Sequence, residues 1–349
     1  MQIQENVPLG PLTTLKVGGP ARRLVEARTA DEVRDAVHEA ARRGWPLLVL
    51  GGGSNLVVAD VGWPGLALRI AISGLEQRSE NGAAIFEAGA GEEWDSLVAL
   101  SVTRDCAGLE CMSGIPGTVG GTPVQNVGAY GQEVSNTIHE VEALDLTSGE
   151  VRRLCNPACE FGYRRSLFNT TQRGRYIILR VSFALTPGGP PRLEYADLKK
   201  FFAGRFQPPA LAEVRDAVRR IRHGKAMLLV AGDEDCRSAG SFFKNPIVSG
   251  ADYARLSALA AARGLELPRF ATPEGVKISA AWLVEQAGFT KGTVRGNVGI
   301  SRRHALAIVN RGQATAAEIV AFKDEIQQGV QEAFGILLEP EPVFVGFES

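Results

Sequence analysis

The chain has 349 residues, of which 45% are hydrophobic, and its formal net charge is −1. This length predicts two or three domains, and the composition excludes a disordered chain and any broad electrostatic attraction to nucleic acid or membranes. Five cysteines, an odd number without a C-x-x-C pair, argue against a disulfide framework and against a thiolate zinc site.

The N-terminus lacks a basic segment followed by an apolar one, so no secretory signal is predicted. No apolar run approaches the roughly 18 residues that a membrane span needs. We therefore expect a soluble, cytoplasmic protein without a membrane partner.

The first elements in chain order are a strand, a helix and a second strand. The strand covers Arg22–Ala27, and the helix begins with an N-cap at Thr29 and ends near Gly44. The strand Pro46–Leu50 leads directly into Gly51-Gly52-Gly53-Ser54-Asn55. A glycine-rich turn after a buried strand exposes backbone N–H groups that can bind phosphate or diphosphate.

Three better-known motifs fail on spacing. Leu56 stands where a dinucleotide fingerprint needs glycine, and Ala226 follows Gly224-Lys225 where a P-loop needs Ser or Thr. Phe242 and Phe243 follow Ser241, which excludes the G-x-S-x-G motif of α/β-hydrolases.

A strand at Ala84–Ala88 and a helix from Glu92 precede the most unusual segment, Ile115–Gly131. This segment is rich in glycine, carries paired amides and contains no charged residue. By itself it is either a buried irregular loop or a binding site for a flat ligand with polar edges.

Strands are predicted at Val141–Leu146 and Tyr176–Leu185, around a turn at 147–149. Between them, Arg165 is expected to be solvated or salt-bridged, whereas Arg164 can present its guanidinium to a carboxylate or enolate. The run Pro187-Gly-Gly-Pro-Pro191 is the best candidate for a domain boundary.

A helix from about Leu211 carries arginines and ends near Lys225. These basic residues form either a solvated face or a site for a diphosphate. Helices follow at 252–264 and 277–288, and a capping box at Thr315 opens the last helix. A final strand, Leu337–Phe344, carries two carboxylates. No histidine pair has the spacing of a metal site, so no metal is predicted.

Five motifs together resemble the UDP-N-acetylenolpyruvoylglucosamine reductase family, and they occur in the family's order over nearly the whole chain. They are Leu50–Leu56, Ile115–Gly131, Phe161–Arg164, Ala239–Pro246 and Glu339–Glu341. The resemblance implies an α+β fold with an FAD-binding unit of the vanillyl-alcohol-oxidase type at 1–187, in two subdomains of about 1–72 and 73–187. A smaller substrate-binding unit would cover 188–349, with its last strand free to return to the FAD unit.

The resemblance also implies roles for individual residues. Non-covalent FAD would be held by Gly51, Gly52, Gly53, Ser54, Asn55, Ile115, Pro116, Gly117, Gly120, Gly121, Thr122, Gln125, Asn126, Gly128, Ala129, Tyr130 and Gly131. The substrate would contact Tyr195, Lys225, Asn245 and His304, with Tyr195 marking the longer subclass of the family.

The implied reaction passes hydride from NADPH to FAD and then to the enolpyruvyl group of a UDP-sugar, giving UDP-N-acetylmuramate for peptidoglycan synthesis. Arg164 would stabilise the enolate, Ser241 would donate the proton and Glu341 would assist. Glu339 lies two residues from Glu341 and competes for that role. The partner is a small nucleotide sugar, and no nucleic acid or obligate protein partner is predicted.

Two departures from the family pattern concern Thr122, where serine is frequent, and the acidic segment before Ser241, whose length leaves the geometry of 227–237 open. The rival reading is an FAD-dependent alcohol or sugar oxidase. Many such oxidases attach flavin to a histidine in the first glycine loop, which Gly51–Asp60 lacks. A third possibility is a nucleotide-sugar binding protein without catalysis.

Overall fold

The computed structural model describes residues 1–347, and its helices and strands alternate along most of that range. The helices are α1 (Ala30–Arg43), α2 (Trp94–Thr103), α3 (Ala196–Phe201), α4 (Leu211–Gly224), α5 (Gly250–Ala261), α6 (Ala280–Gln286) and α7 (Ala316–Phe334). Over residues 1–347, none of them is long and apolar enough to cross a bilayer.

The strands are mostly short. They are β1 (Gln4–Pro8), β2 (Pro20–Ala27), β3 (Leu47–Leu50), β4 (Leu56–Val58), β5 (Trp63–Ile70), β6 (Leu75–Glu80), β7 (Ala83–Gly89), β8 (Cys106–Ala107), β9 (Gly128–Ala129), β10 (Gln132–Glu133), β11 (Ile138–Asp145), β12 (Val151–Cys155), β13 (Tyr176–Pro187), β14 (Ile247–Val248), β15 (Arg269–Thr272), β16 (Gly275–Ile278), β17 (Val294–Arg295), β18 (Val298–Ile300), β19 (Ile308–Asn310) and β20 (Val343–Val345).

The chain divides into two compact units. Unit 1 comprises 1–7, 21–53 and 63–228, and unit 2 comprises 8–20, 54–62 and the chain from 229 onward. This division differs from the predicted split at 187/188, because residues 188–228 pack in unit 1. The reason is that Leu198, Val214 and Val218 form one apolar cluster with Cys111 and Tyr130.

The first sheet of unit 1 has the strand order β1-β2-β5-β3, with β2 and β3 both parallel to β5. The connection from β2 to β3 is α1. The predicted start and end of this helix are confirmed, since Thr29 Oγ1 accepts the Glu32 N–H and Gly44 adopts a left-handed φ of 65°. Strand β5 lacked a clear sequence signal because it is buried almost throughout and shows no alternation.

The second sheet of unit 1 is antiparallel, in the order β12-β11-β13-β7-β6, and β8 pairs with β13. Trp94, Leu97 and Val98 of α2 are fully buried in the core of this unit, and Val102 on the same face is partly buried. One prediction was incomplete, because the turn at 147–149 joins β11 to the unpredicted strand β12. That strand is mostly exposed, so its sequence carries little hydrophobic pattern.

Unit 2 is built around α7, whose predicted capping box is present. The side chains Ile319, Phe322, Ile326, Val330 and Phe334 are buried as predicted. The early segment 54–62 joins this unit in two ways. Asp60 accepts the N–H groups of Ala316 and Ala317 at the start of α7, and β4 pairs in parallel with β20.

Two predictions near the end of the chain need correction. The predicted helix at 277–288 begins only at Ala280, because Lys277 and Ile278 belong to β16 and pair with β14 and β15. The final strand is β20 alone, so Glu339 and Glu341 lie before it in irregular backbone. Pro340 and Pro342 lack the N–H groups that a longer ladder would require.

An ion pair with a buried carboxylate in unit 1 gives a test of stability against pH. Asp145 is fully buried and binds Arg175 through two hydrogen bonds of 3.0 and 2.7 Å. The Arg175 hydrogen bonds hold the pKa of the Asp145 carboxyl well below its usual range, against the opposing effect of desolvation. A depressed folded-state pKa contributes stability above the unfolded pKa, about 3.9, and loses it as the pH falls further.

We therefore expect Asp145→Asn to lower the unfolding temperature at pH 7, with the difference from wild type narrowing as the pH falls below about 4. Asp31→Asn is the control, because the Asp31 side chain is 84% exposed in its pair with Arg34. Thermal unfolding of all three proteins from pH 7 to pH 3 measures the effect. If the difference in unfolding temperature between Asp145→Asn and wild type did not change with pH, the depressed pKa assigned to Asp145 would be wrong.

Candidate active site

The structure brings parts of the two predicted glycine stretches into direct contact within unit 1. A Cβ atom on Gly52 would lie 2.5 Å from the Cα of Gly117, and one on Gly51 would lie 2.9 Å from Thr118 Oγ1. The first distance is too short for any side chain, so the approach of the two backbones requires glycine at position 52. The remaining two residues of the first stretch, Ser54 and Asn55, belong to unit 2.

Thr118 was not among the predicted cofactor residues. Within residues 1–347, its Oγ1 is the buried side-chain polar atom that has no hydrogen-bond partner in the protein. A buried hydroxyl without a partner is costly, and this one lies beside Gly51. Two uncharged glycine-rich loops and a hydroxyl without a partner in the protein fit the diphosphate of FAD. In the sequence, Thr118 was indistinguishable from an ordinary turn residue.

The segment 115–131 shows two kinds of residue. Most of its glycines, with Ile115, Pro116, Gln125 and Ala129, are at least partly exposed, as ligand contacts must be. By contrast, Thr122 and Asn126 are buried, and their side chains bind protein groups. The structure therefore assigns these two side chains to the shape of the segment, and any cofactor contact there would be through the backbone.

Arg164 meets this segment directly. Its Nη2 donates to the carbonyl oxygen of Gly128 at 3.0 Å, and its backbone adopts a left-handed φ of 54°. Left-handed backbone at a residue other than glycine is disfavoured and is often found at functional sites. Arg165 is exposed, as predicted.

Tyr130, Tyr195 and Lys225 come together in unit 1. The two tyrosine rings pack edge to face with centroids 5.2 Å apart, and Lys225 Nζ lies 5.7 Å from the Tyr130 ring. Burial raises the pKa of Tyr130 to about 12, so this phenol stays neutral. Lys225 also pairs with Asp197 at 2.5 Å, a residue that sequence reasoning missed.

Three arginines of α4 have hydrogen-bond partners within unit 1. Arg215 and Arg219 both bind Asp95 of α2, which also accepts the N–H of Gly114. Arg222 is buried and donates to the carbonyls of Gly114 and Met227. These contacts hold α4 against the start of the 115–131 segment. Lys225, just past the helix, remains the predicted diphosphate contact.

In unit 2, the Ser241 motif runs beside the two terminal glutamates. Glu341 N donates to Phe242 O at 2.9 Å, and Lys244 N donates to Glu339 O at 2.9 Å. Residues distant in sequence thus place Ser241 next to the backbone of Glu341. Asn55 contacts the same region, because its Nδ2 donates to Glu341 O at 3.1 Å.

The same geometry distinguishes the two glutamates. The Glu339 carboxylate is 70% exposed and forms an ion pair with Lys244. Glu341 is partly buried, and its backbone N–H donates to the carbonyl oxygen of Phe242, the residue after Ser241. Glu341 is therefore the less exposed of the two carboxylates.

The acidic segment before Ser241 is ordered by the turn at 301–304. Asp235 Oδ2 accepts from Ser301 Oγ at 3.3 Å and from Arg302 N at 3.1 Å, and Asp233 pairs with Arg303. His304 Nδ1 accepts the Leu306 N–H, while Leu306 O accepts the Phe242 N–H. Leu306 thus links His304 to the Ser241 motif, while the acidic segment is bound to the residues just before His304.

Asn245 has part of its side chain committed within the protein. Its Oδ1 accepts the Ala280 N–H at the start of α6, at 2.9 Å. The carbonyl end of the amide is fixed in this way.

Two protein-family models match this chain. A model of the C-terminal domain of UDP-N-acetylenolpyruvoylglucosamine reductase matches residues 232–345, and an FAD binding domain matches residues 21–154. The reductase of that name from Streptomyces coelicolor is 47% identical over 99% of this chain and 91% of its own length. The chain belongs to the UDP-N-acetylenolpyruvoylglucosamine reductase family.

Further relatives agree with this assignment. The UDP-N-acetylenolpyruvoylglucosamine reductase of Thermobifida fusca is 46% identical over 98% of this chain and 97% of its own. The crystal structure of the Thermus caldophilus reductase is 28% identical, with a TM-score of 0.67 and 99% of both chains covered. The predicted α+β fold with an FAD-binding domain and a second C-terminal domain is confirmed.

Membership of the UDP-N-acetylenolpyruvoylglucosamine reductase family makes this chain a flavin-dependent reductase, and the oxidase reading is less supported. The FAD-domain match includes Gly51–Asn55 and Ile115–Gly131. The reductase-domain match includes Ser241 and Glu341. Among residues 1–347, no group of three or more His, Cys, Asp or Glu residues is arranged to hold a metal ion.

Proposed function

We propose that this enzyme uses NADPH to reduce the enolpyruvyl group of UDP-N-acetylglucosamine enolpyruvate, yielding UDP-N-acetylmuramate for peptidoglycan synthesis in the cytoplasm. The observation that carries the proposal is the hydrogen bond that joins the Ser241 motif to Glu341, in a chain related over its whole length to reductases of this name. Enolpyruvyl reduction needs a proton donor and is assisted by a carboxylate, and this backbone bond links the two segments that carry Ser241 and Glu341.

Bound FAD would supply hydride to the methylene carbon of the enolpyruvyl group. The neighbouring carbon then carries negative charge that is shared with the substrate carboxylate. A guanidinium fixed where this charge develops lowers the barrier, and Arg164 is held by Gly128 in the segment assigned to the flavin. Ser241 gives its proton to the charged carbon and recovers one from solvent, with Glu341 assisting the enol form.

The substrate would be held by its charged and aromatic contacts. Lys225 and the amino group of Asn245 suit the diphosphate, because both are donors. Tyr195 is 44% exposed beside Tyr130, which suits a residue that covers the substrate in the longer subclass of the family. His304 lies in a turn bonded to the Ser241 motif and would contact the same ligand.

Anaerobic spectroscopy tests the proposal. The purified protein is expected to be yellow, to lose its flavin absorbance on addition of NADPH, and to recover it on addition of the enolpyruvyl nucleotide. Oxygen uptake with a hydroxylated substrate and no consumption of NADPH would support the oxidase instead. A colourless protein that binds the nucleotide sugar would support a binding protein without catalysis.

A further inference from the structure

We propose that Asn126 is a positioning residue that holds Arg164 in place, and that its side chain does not contact the cofactor. This inference rests on the proposed function of Arg164. Asn126 has no exposed surface. Its Nδ2 donates to Glu133 Oε2 at 2.9 Å and to Gly162 O at 3.0 Å, and its Oδ1 accepts the Ser135 N–H at 3.1 Å.

The bond to Gly162 matters because Gly162 begins the turn that carries Arg164. The turn is closed by reciprocal backbone bonds, Gly162 N to Arg165 O at 3.0 Å and Arg165 N to Gly162 O at 3.2 Å. Arg164 lies inside this closed turn in a left-handed conformation that the surroundings must hold. Fixing the Gly162 carbonyl therefore fixes the backbone from which the guanidinium extends.

Further bonds attach the same part of the chain to the flavin-lining segment. Arg164 Nη2 binds Gly128 O at 3.0 Å, and Ser166 Oγ donates to Val124 O at 2.6 Å. Every second residue of the segment thus binds one residue of the turn region. Val124 binds Ser166, Asn126 binds Gly162 and Gly128 binds Arg164. Val124 and Gly128 accept through their backbone carbonyls, whereas Asn126 donates through its buried side chain.

Asparagine suits position 126 for two physical reasons. Its φ is 46°, and asparagine tolerates left-handed backbone better than most residues. Its amide also provides the two donors and the acceptor that Glu133, Gly162 and Ser135 require. Glycine would accept the same backbone conformation and remove only these bonds, so Asn126→Gly isolates the contribution of the side chain.

We expect Asn126→Gly to retain FAD and to be reduced by NADPH at nearly the wild-type rate, while kcat for enolpyruvyl reduction falls by about 10- to 100-fold with little change in KM. In an Arg164→Lys background the same substitution should lower kcat by less than about twofold, since both changes remove the same function, that of the fixed guanidinium. Asn156→Ala is the matched control. Asn156 also binds two backbone carbonyls in unit 1, those of Ser135 and Ile138, and does not touch the Arg164 turn.

The outcomes separate this inference from the proposed function. If Arg164→Lys alone left turnover intact, the role of Arg164 would be wrong. Suppose instead that Arg164→Lys strongly reduced turnover, but that Asn126→Gly lowered kcat by the same factor in the wild-type and Arg164→Lys proteins. The positioning role of Asn126 would then be overturned.

A crystal structure of Asn126→Gly gives a readout that does not depend on activity. We expect the Arg164 guanidinium to leave Gly128 O, and an unchanged bond would overturn the inference. Should the glycine variant fold poorly, Asn126→Asp keeps the size while turning an acceptor towards Gly162 O and Glu133, and the same displacement is expected.

Discussion

Replacing Ser241 with alanine is expected to leave bound FAD and its reduction by NADPH intact, while turnover of the enolpyruvyl nucleotide falls by about 10²- to 10⁴-fold. The reason is that Ser241 acts only after hydride has reached the substrate. A serine hydroxyl is a weak acid, and it gives up its proton only to a strong base such as the carbanion or enolate formed next to it. Stopped-flow measurement of the two half-reactions separates these effects.

Ser249→Ala is the control for this experiment. Ser249 caps α5 by accepting the Asp252 N–H, so its loss should cost about 1 kcal/mol of stability without changing turnover. Normal enolpyruvyl reduction by the Ser241 variant would show that another group donates the proton. Loss of FAD from the variant would instead indicate that Ser241 has a structural role.

Arg164→Lys is expected to reduce enolpyruvyl turnover by about 10²- to 10³-fold, again with the NADPH half-reaction preserved. Lysine keeps the positive charge but lacks the planar fork that binds a carboxylate through two parallel hydrogen bonds. It also cannot reproduce the contact that the Arg164 guanidinium makes with Gly128 O.

The neighbouring arginine provides a matched control, because Arg165 has the same chemistry and is exposed. Arg165→Lys should change turnover by less than about twofold. Equal effects of the two substitutions would mean that general positive charge, and not the fixed guanidinium of Arg164, accounts for the result.

Several elements could be predicted because their signals are local. Helix α1 has its cap at Thr29 and its left-handed glycine at Gly44, and α7 has a capping box and five buried apolar residues at helical spacing. Hydrogen bonds between residues three or four positions apart decide such helix ends, so a short stretch of sequence contains the necessary information. The motifs around Ser241 and in the 115–131 segment were equally visible.

Other features could not be predicted, because their partners are distant in sequence. Thr118 became notable only when Gly51 was placed beside its hydroxyl. Asp233 and Asp235 read as an acidic loop until the turn at 301–303 was found to bind them. The basic face of α4 gave no sign that Asp95 would neutralise part of it.

The sequence by itself determined the family, the α+β class, the cofactor and the types of residue that the reaction needs, because these depend on motifs of a few consecutive residues. Tertiary structure decided which side chains are exposed and which are buried and bind other protein groups. It placed residues 54–62 with α7 and 188–228 in unit 1, and it left the Glu339 side chain exposed while partly burying Glu341. The physical reason is that burial and hydrogen-bond partners depend on segments as far apart as Asn55 and Glu341, which only the folded chain brings together.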